Sequence, residues 1–243
     1  MPPPAILCDI GNVIVHFDFT IASRRLAAWS DLPAEAVLPA LEGIKGPFED
    51  GQMDDASFVT AASAAIGFRG KREDFIRAWC EIFTANAPMI KTLERLHRTR
   101  RLYLLSNTSG LHKDYLFASF PVFNLFQGGV YSYSERASKP GRRIFEAAIE
   151  QFDLEPEQTF YIDDLLPNIE TAKSLRFATH HYHSSHHQEL AGRILSNHPT
   201  YRPPQEVRRL QRGSHLLFDP DHQRSDDHGE SVRGLLQGQG CDR

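Results

Sequence analysis

The chain has 243 residues, 41% apolar and 24% charged, with a net charge of −4 and a pI near 6.3. That length and apolar content can fill a real core, and the mild acidity offers no basic field for nucleic acid or an anionic membrane. Three cysteines, Cys8, Cys80 and Cys241, are widely spaced and odd in number. They fit neither a disulfide framework nor a zinc site, so a reducing, cytoplasmic setting is expected. The "MPPP" opening lacks the regions of a signal peptide, and no apolar run approaches the length of a membrane span.

The first predicted strand is "AILCDI" (5–10), which carries Asp9 at its end and is followed by Gly11 and Asn12. Residues 19–87 read differently, as several helices without a strand, broken by turn signals at "SDLPAE", "GIKGPFEDGQ" and "GFRGKRE". In that stretch Phe75, Trp79 and Phe83 read as core, with room for one aromatic to face a substrate. "GPFEDGQM" (46–53) is either a gate at a site entrance or an ordinary connection. Beyond it, strands at 101–107, 128–134, 159–164 and 177–183 alternate with helical patterns at 88–98, 141–152 and 167–175. This rhythm predicts an α/β fold, a Rossmann-like parallel sheet with helices on both faces. The expected organisation is a core of 1–18 and 88–199, a small inserted helical cap of 19–87, and a polar tail of 200–243 too poor in apolar residues to order. The run "HHYHSSHHQE", with His180, His181, His183, His186 and His187, lacks zinc-site spacing and reads as a strand end and polar loop able to take up nickel adventitiously.

Ligands of open parallel sheets bind beyond the carboxyl ends of the strands. There the chain offers Asp9, then Ser106 and Asn107 in "LLSNTS", then Asp163 and Asp164 in "YIDDLLPN", with Asn168 one turn on. Lys139 stands between them in "SKPGRRIF", one of six lysines against twenty-one arginines. Three carboxylates, a hydroxyl and a lysine suit a hard cation and a phosphoryl group together. Asp9 and Asp164 would share Mg²⁺, Lys139 would offset phosphoryl charge, and Asp9 would attack phosphorus to form an aspartyl-phosphate. The bland readings are a cap or loop carboxylate for Asp9, turn chemistry for Ser106 and Asn107, and a solvated surface amine for Lys139. Cys8 reads as a small core residue.

The order "DIGNV", "LLSNTS", "SKP" and "YIDDLLPN", with a helical insert after the first, resembles the haloacid dehalogenase (HAD) superfamily over about residues 5–195. It is most similar to the helical-cap, Mg²⁺-dependent phosphatases near bacterial α-D-glucose-1-phosphate phosphatase. The resemblance implies Asp9 as nucleophile and Ser106, beside the Asn107 amide, as phosphate-binding hydroxyl. It implies Lys139 as the neutralising cation, Asp164 as a direct metal ligand, Asp163 as a second acid acting through water, and Asn168 as a brace. The Gly11 carbonyl would complete the metal shell. It also implies a small phosphorylated substrate, plausible sugar phosphates included, with no nucleic-acid or membrane partner; substrate identity and oligomeric state are open.

Most phosphatases of this superfamily carry an aspartate where Gly11 stands, to protonate the leaving oxygen. Either a good leaving group needs less help here, or Asp18, His16 or His112 supplies the proton, with Asp18 ranked first. Two rival functions remain: a metal-independent dehalogenase of the same fold, and a regulatory or binding protein weakened by the glycine. The paired acids argue against the first, and the retained nucleophile and metal acids against the second.

Overall fold

The computed structural model describes residues 4–195. The chain runs through β1 (Ala5–Cys8) and β2 (Val15–Phe17) into four helices, α1 (Phe19–Ala27), α2 (Ala34–Glu49), α3 (Asp55–Ile66) and α4 (Arg72–Cys80). It returns through β3 (Phe83–Ala85), α5 (Ala87–Leu96), β4 (Arg101–Ser106), α6 (Gly110–Ser119) and β5 (Gly128–Tyr131). It continues with α7 (Ser132–Glu135), α8 (Arg142–Phe152), β6 (Thr159–Asp163), α9 (Leu166–Ser174), β7 (Ala178–His181) and α10 (His187–Leu195).

Five strands form a wholly parallel sheet in the order β5-β4-β1-β6-β7. The α/β expectation therefore holds. The chain enters at the centre and builds outward to both sides, so the reversal point lies at the carboxyl end of β1, between β4 and β6. A crevice opens at such a point. The alternation of β1 explains the two faces: Ile6 and Cys8 join one core with Met89, Leu93, Leu116 and Tyr182, while Ala5 and Leu7 join another with Phe145, Tyr161 and Ile169.

Helices α1–α4 carry a third cluster of their own around Phe48, Phe58, Phe75 and Trp79, each buried. Phe48 and Phe58 stack at 4.0 Å between ring centroids, and Trp79 meets Phe58 at 5.1 Å. Each such side chain, fully buried, contributes roughly 1.5–3 kcal/mol of transfer energy. Local signals frame these helices. Asp18 caps α1 by accepting from the Thr20 amide, Asp54 caps α3 by accepting from the Ser57 amide, and α3 stops at Gly67, whose φ of +61° suits glycine.

The structure corrects the sequence reading in three places. The stretch 19–87 is not free of strands, because β3 pairs antiparallel with β2, matching Val15 with Ala85 and Phe17 with Phe83. The turn signal "GIKGPFEDGQ" does not end α2 early: the helix runs to Glu49 through Pro39 and Pro47. Burying Leu41 and Phe48 in the helical core outweighs the lost backbone bonds. The 128–134 strand stops at Tyr131, where α7 begins. The histidine run closes β7 and opens α10, through a 3₁₀ turn at Ser184–His186. No helix among the described residues is long and apolar enough to cross a membrane. The expectation for 200–243 lies outside the described residues, as does Cys241.

Candidate active site

The strand ends bring Asp9, Lys139 and Asp163 into one buried group. Lys139 Nζ lies 2.7 Å from Asp9 Oδ1 and 2.7 Å from Asp163 Oδ2, and all three residues are under a tenth exposed. The Asp9 amide donates to the Ile162 carbonyl at 2.9 Å, which extends the β1–β6 ladder to the carboxylate itself. Lys139 is placed by Asn107, whose side-chain amide donates to the Lys139 carbonyl and accepts from its amide, both at 2.8 Å. This reciprocal clamp ties the loop before α8 to the end of β4.

Asp163 is saturated. It accepts from Lys139, from Asn168 Nδ2 at 2.9 and 3.0 Å, from the Leu165 amide at 2.8 Å and from the Tyr161 hydroxyl. Asp164 is less committed and half-buried: Asn12 Nδ2 donates to its Oδ2 at 3.1 Å, and His181 Nε2 lies 2.8 Å from its carbonyl. Asn12 reaches it from a left-handed backbone with φ of +53°, which asparagine tolerates. Carboxylate oxygens of Asp9, Asp163 and Asp164 lie within 4.8 Å of one another, the one such metal-type group among the described residues. No histidine of the 180–187 run belongs to it.

Electrostatics follow from burial. Desolvation pushes Asp9 up to about 6, against the pull of the Lys139 ammonium. Burial alone would lower Lys139, but the two carboxylates outweigh it and hold the ammonium above its ordinary value. Asp164 is raised by burial and eased by the Asn12 hydrogen bond. The Cys8 thiol is pushed well up by burial and stays protonated in the core. Burial raises both carboxylates, and the group sets three acidic side chains against the single Lys139 ammonium. A hard divalent cation fits such an all-oxygen set.

Beside this group lies a cavity of about 180 Å³. Gly11, Ser106 and Asn107 line it near the carboxylates, and Phe17, Phe83 and His112 line it farther out. The gap at Gly11 is filled: a Cβ there would lie 2.9 Å from the Phe17 ring, so no side chain fits without moving that ring. Of the three proton-donor candidates, Asp18 is the exposed α1 cap, held below the usual carboxylate range by Thr20. His16 sits on β2 opposite Thr84, and strand alternation turns it away from the face of Phe17. His112 does line the cavity, but its Nε2 lies 3.2 Å from the Trp79 carbonyl and burial lowers it to about 4. It is therefore a neutral ring, with its proton committed to a carbonyl.

The sequence reading missed Asn12, Tyr161, His181 and the Asn107 clamp as parts of this site. Tyr161 alone left a signal, two residues before Asp163 and so on the same strand face.

A model of haloacid dehalogenase-like hydrolases matches residues 4–176. The chain belongs to that family. A D-ribitol-5-phosphate phosphatase from Bacteroides thetaiotaomicron is 26% identical over 185 residues, 72% of this chain and 89% of the relative. A HAD family enzyme from the same organism, solved with magnesium and inorganic phosphate, superposes with a TM-score of 0.68 at 24% identity, covering 75% of this chain and 95% of its own. A HAD-like hydrolase from Porphyromonas gingivalis gives a TM-score of 0.64 at 24% identity, covering 87% and 99%. These structural likenesses establish a shared HAD fold.

Proposed function

We propose that this HAD hydrolase is a Mg²⁺-dependent phosphatase of small phosphomonoesters, sugar and polyol phosphates among them. The observation that carries the reading is the Asp9–Lys139–Asp163 group with Asp164 alongside, an anionic cluster with one buried cation at the reversal point of the sheet. The phosphatase relative and the magnesium- and phosphate-bound fold neighbour point the same way.

Asp9 and Asp164 would hold the ion directly, with the Gly11 carbonyl, and Asp163 would act on it through water because its own acceptors are taken. The bound ion would supply positive charge to the phosphoryl oxygens. The chain's residues do the rest. Ser106 and the Asn107 amide orient the phosphoryl group, and the Lys139 ammonium lies against its charge and that of Asp9. The Asp9 carboxylate attacks phosphorus as the bond to the leaving oxygen breaks. Water then cleaves the acyl-phosphate, releasing phosphate and restoring Asp9. With Gly11 bare, Asp18 capping a helix and His112 neutral, the leaving oxygen takes its proton from water. A sugar 1-phosphate, whose leaving oxygen is the more acidic, depends less on that proton than a polyol phosphate does. Helices α1–α4 serve as a cap over the site. The paired acids, absent from the metal-independent dehalogenases this fold also hosts, favour phosphate over halide chemistry.

The test is phosphate release from a panel of sugar, polyol and nucleotide phosphates with Mg²⁺, with EDTA, and with Asp9→Asn. Release should vanish with EDTA and fall by about 10³-fold or more in Asp9→Asn, a barrier change of roughly 4 kcal/mol. Turnover that survives EDTA would overturn the metal-dependent mechanism.

A further inference from the structure

The cavity beside Asp9 has a second end, built by the helical segment. Lys45 and Glu49 of α2 line it together with Phe17, Phe19 and Phe83. Lys45 Nζ lies 2.9 Å from Glu49 Oε1 and 3.0 Å from Oε2, and 5.0 Å from the centre of the Phe19 ring. Both side chains are partly exposed, at 32% and 25%. A Lys–Glu pair one helical turn apart ordinarily does little more than steady its helix. This pair has two further features: it forms a wall of the catalytic cavity, and its cation rests on an aromatic ring of the same wall.

The geometry points to Lys45 and Glu49 as the leaving-group subsite of the proposed phosphatase, selecting a small, uncharged, polyhydroxylated leaving group. The inference rests on the phosphatase reading and adds what that reading leaves open, which residues recognise the substrate and by what chemistry. Charge is the first argument. A lone lysine here would recruit a second phosphate or a carboxylate, but Glu49 already neutralises Lys45 and repels a further anion. Hydrogen bonding is the second. The ammonium only donates and the carboxylate only accepts, so side by side they match neighbouring hydroxyls, each of which does both. Phe17, Phe19 and Phe83 offer apolar walls to the C–H faces of the same molecule, and His112 adds no charge because it is neutral.

Size is the third argument. About 180 Å³ is small beside the roughly 300–1,000 Å³ of sites for drug-sized ligands, which favours a short carbon chain or single ring over a nucleoside. Placement is the fourth. The Ser132 hydroxyl donates to the Glu49 carbonyl at 2.6 Å and accepts from the Thr108 amide at 3.0 Å. The end of α2 is thereby fixed to Thr108, in the turn that follows Ser106 and Asn107 at the end of β4. The two ends of the cavity are held in one register.

The experiment compares kcat/KM with Mg²⁺ for a five- or six-carbon polyol monophosphate, the matching bisphosphate and phenyl phosphate, in the wild type, Glu49→Gln and Lys45→Met. Glu49→Gln, which leaves the lysine charge exposed, should shift the bisphosphate-to-monophosphate ratio upward by about tenfold or more. Lys45→Met should lower the polyol-monophosphate-to-phenyl-phosphate ratio by about tenfold or more. Ratios within one preparation do not depend on the fraction of folded enzyme, so misfolding cannot imitate either result. Ratios that stay at wild-type values in both variants, or a wild type that prefers the bisphosphate, overturn the subsite and leave the phosphatase reading standing. A wild type that releases phosphate from none of the three overturns the phosphatase reading, and the subsite with it.

Discussion

The carboxyl end of the sheet and the helical segment above it are built on opposite principles. At the sheet, charges are buried and each is over-determined: Asp163 is held by four donor groups, and Lys139 by two carboxylates and the Asn107 clamp. In the helices, stacked aromatics carry the cohesion, and the polar pair Lys45–Glu49 keeps partial contact with solvent. A charged group in a dry site has one workable geometry, because any loss of a partner leaves an unpaired charge. An apolar core held by dispersion tolerates exchange of its outer residues at little cost. The sheet end therefore suits a step common to every substrate, and the helical wall suits the part of recognition that varies between substrates.

Removing the central cation tests the first half of that contrast most severely. Lys139→Ala strands Asp9 and Asp163 beside each other, and should cost about 3–5 kcal/mol in denaturant unfolding. A cost below about 1 kcal/mol, the range of exposed pairs, would show that the group is not the rigid centre described.

His112 joins the two regions, stacking on Trp79 at 5.7 Å while lining the cavity, and gives the next largest effect. Its folded pKa is depressed by burial from 6.5 to about 4, so between those values the unfolded chain binds a proton that the folded chain does not. Its contribution is therefore complete above the unfolded value and is lost as pH falls through the folded one. Between pH 7 and about pH 4.5 this should cost about 2–3 kcal/mol, and His112→Phe should flatten that part of the acid limb. An unchanged slope in the variant would show the ring already protonated in the fold, and the cavity wall charged.

The smallest effect distinguishes a structural carboxylate from a chemical one. Asp18→Ala should cost about 1 kcal/mol as a lost helix cap and leave turnover at the wild-type level. A large fall in turnover with little change in stability would return the acid role to Asp18.

Much of the site could be read in advance because its residues sit at fixed offsets from short apolar strands. Asp9, Ser106 and the pair Asp163–Asp164 each close a run of buried residues, and a parallel sheet aligns those ends. Asp18 carries a local signal of a second kind, since an aspartate just before a helix is placed to cap it, as it does on α1. The β2–β3 pair left no readable period, since three residues a side across a four-helix insert show no alternation long enough to recognise. The continuation of α2 through Pro47 contradicted every local rule and was decided by Phe48 finding Phe58.

By itself the sequence determined the class of fold, the family resemblance and the inventory of chemical groups, because strand pattern, spacing and residue type are properties of the chain. The tertiary structure alone decided what those groups do to each other. It saturated Asp163 while leaving Asp164 open, laid the Phe17 ring over Gly11, turned the Asn107 side chain onto the Lys139 backbone and brought Lys45 and Glu49 to the cavity wall. Burial and distance set charge, proton affinity and hydrogen-bond partners. Both are fixed only when segments remote in the chain pack together.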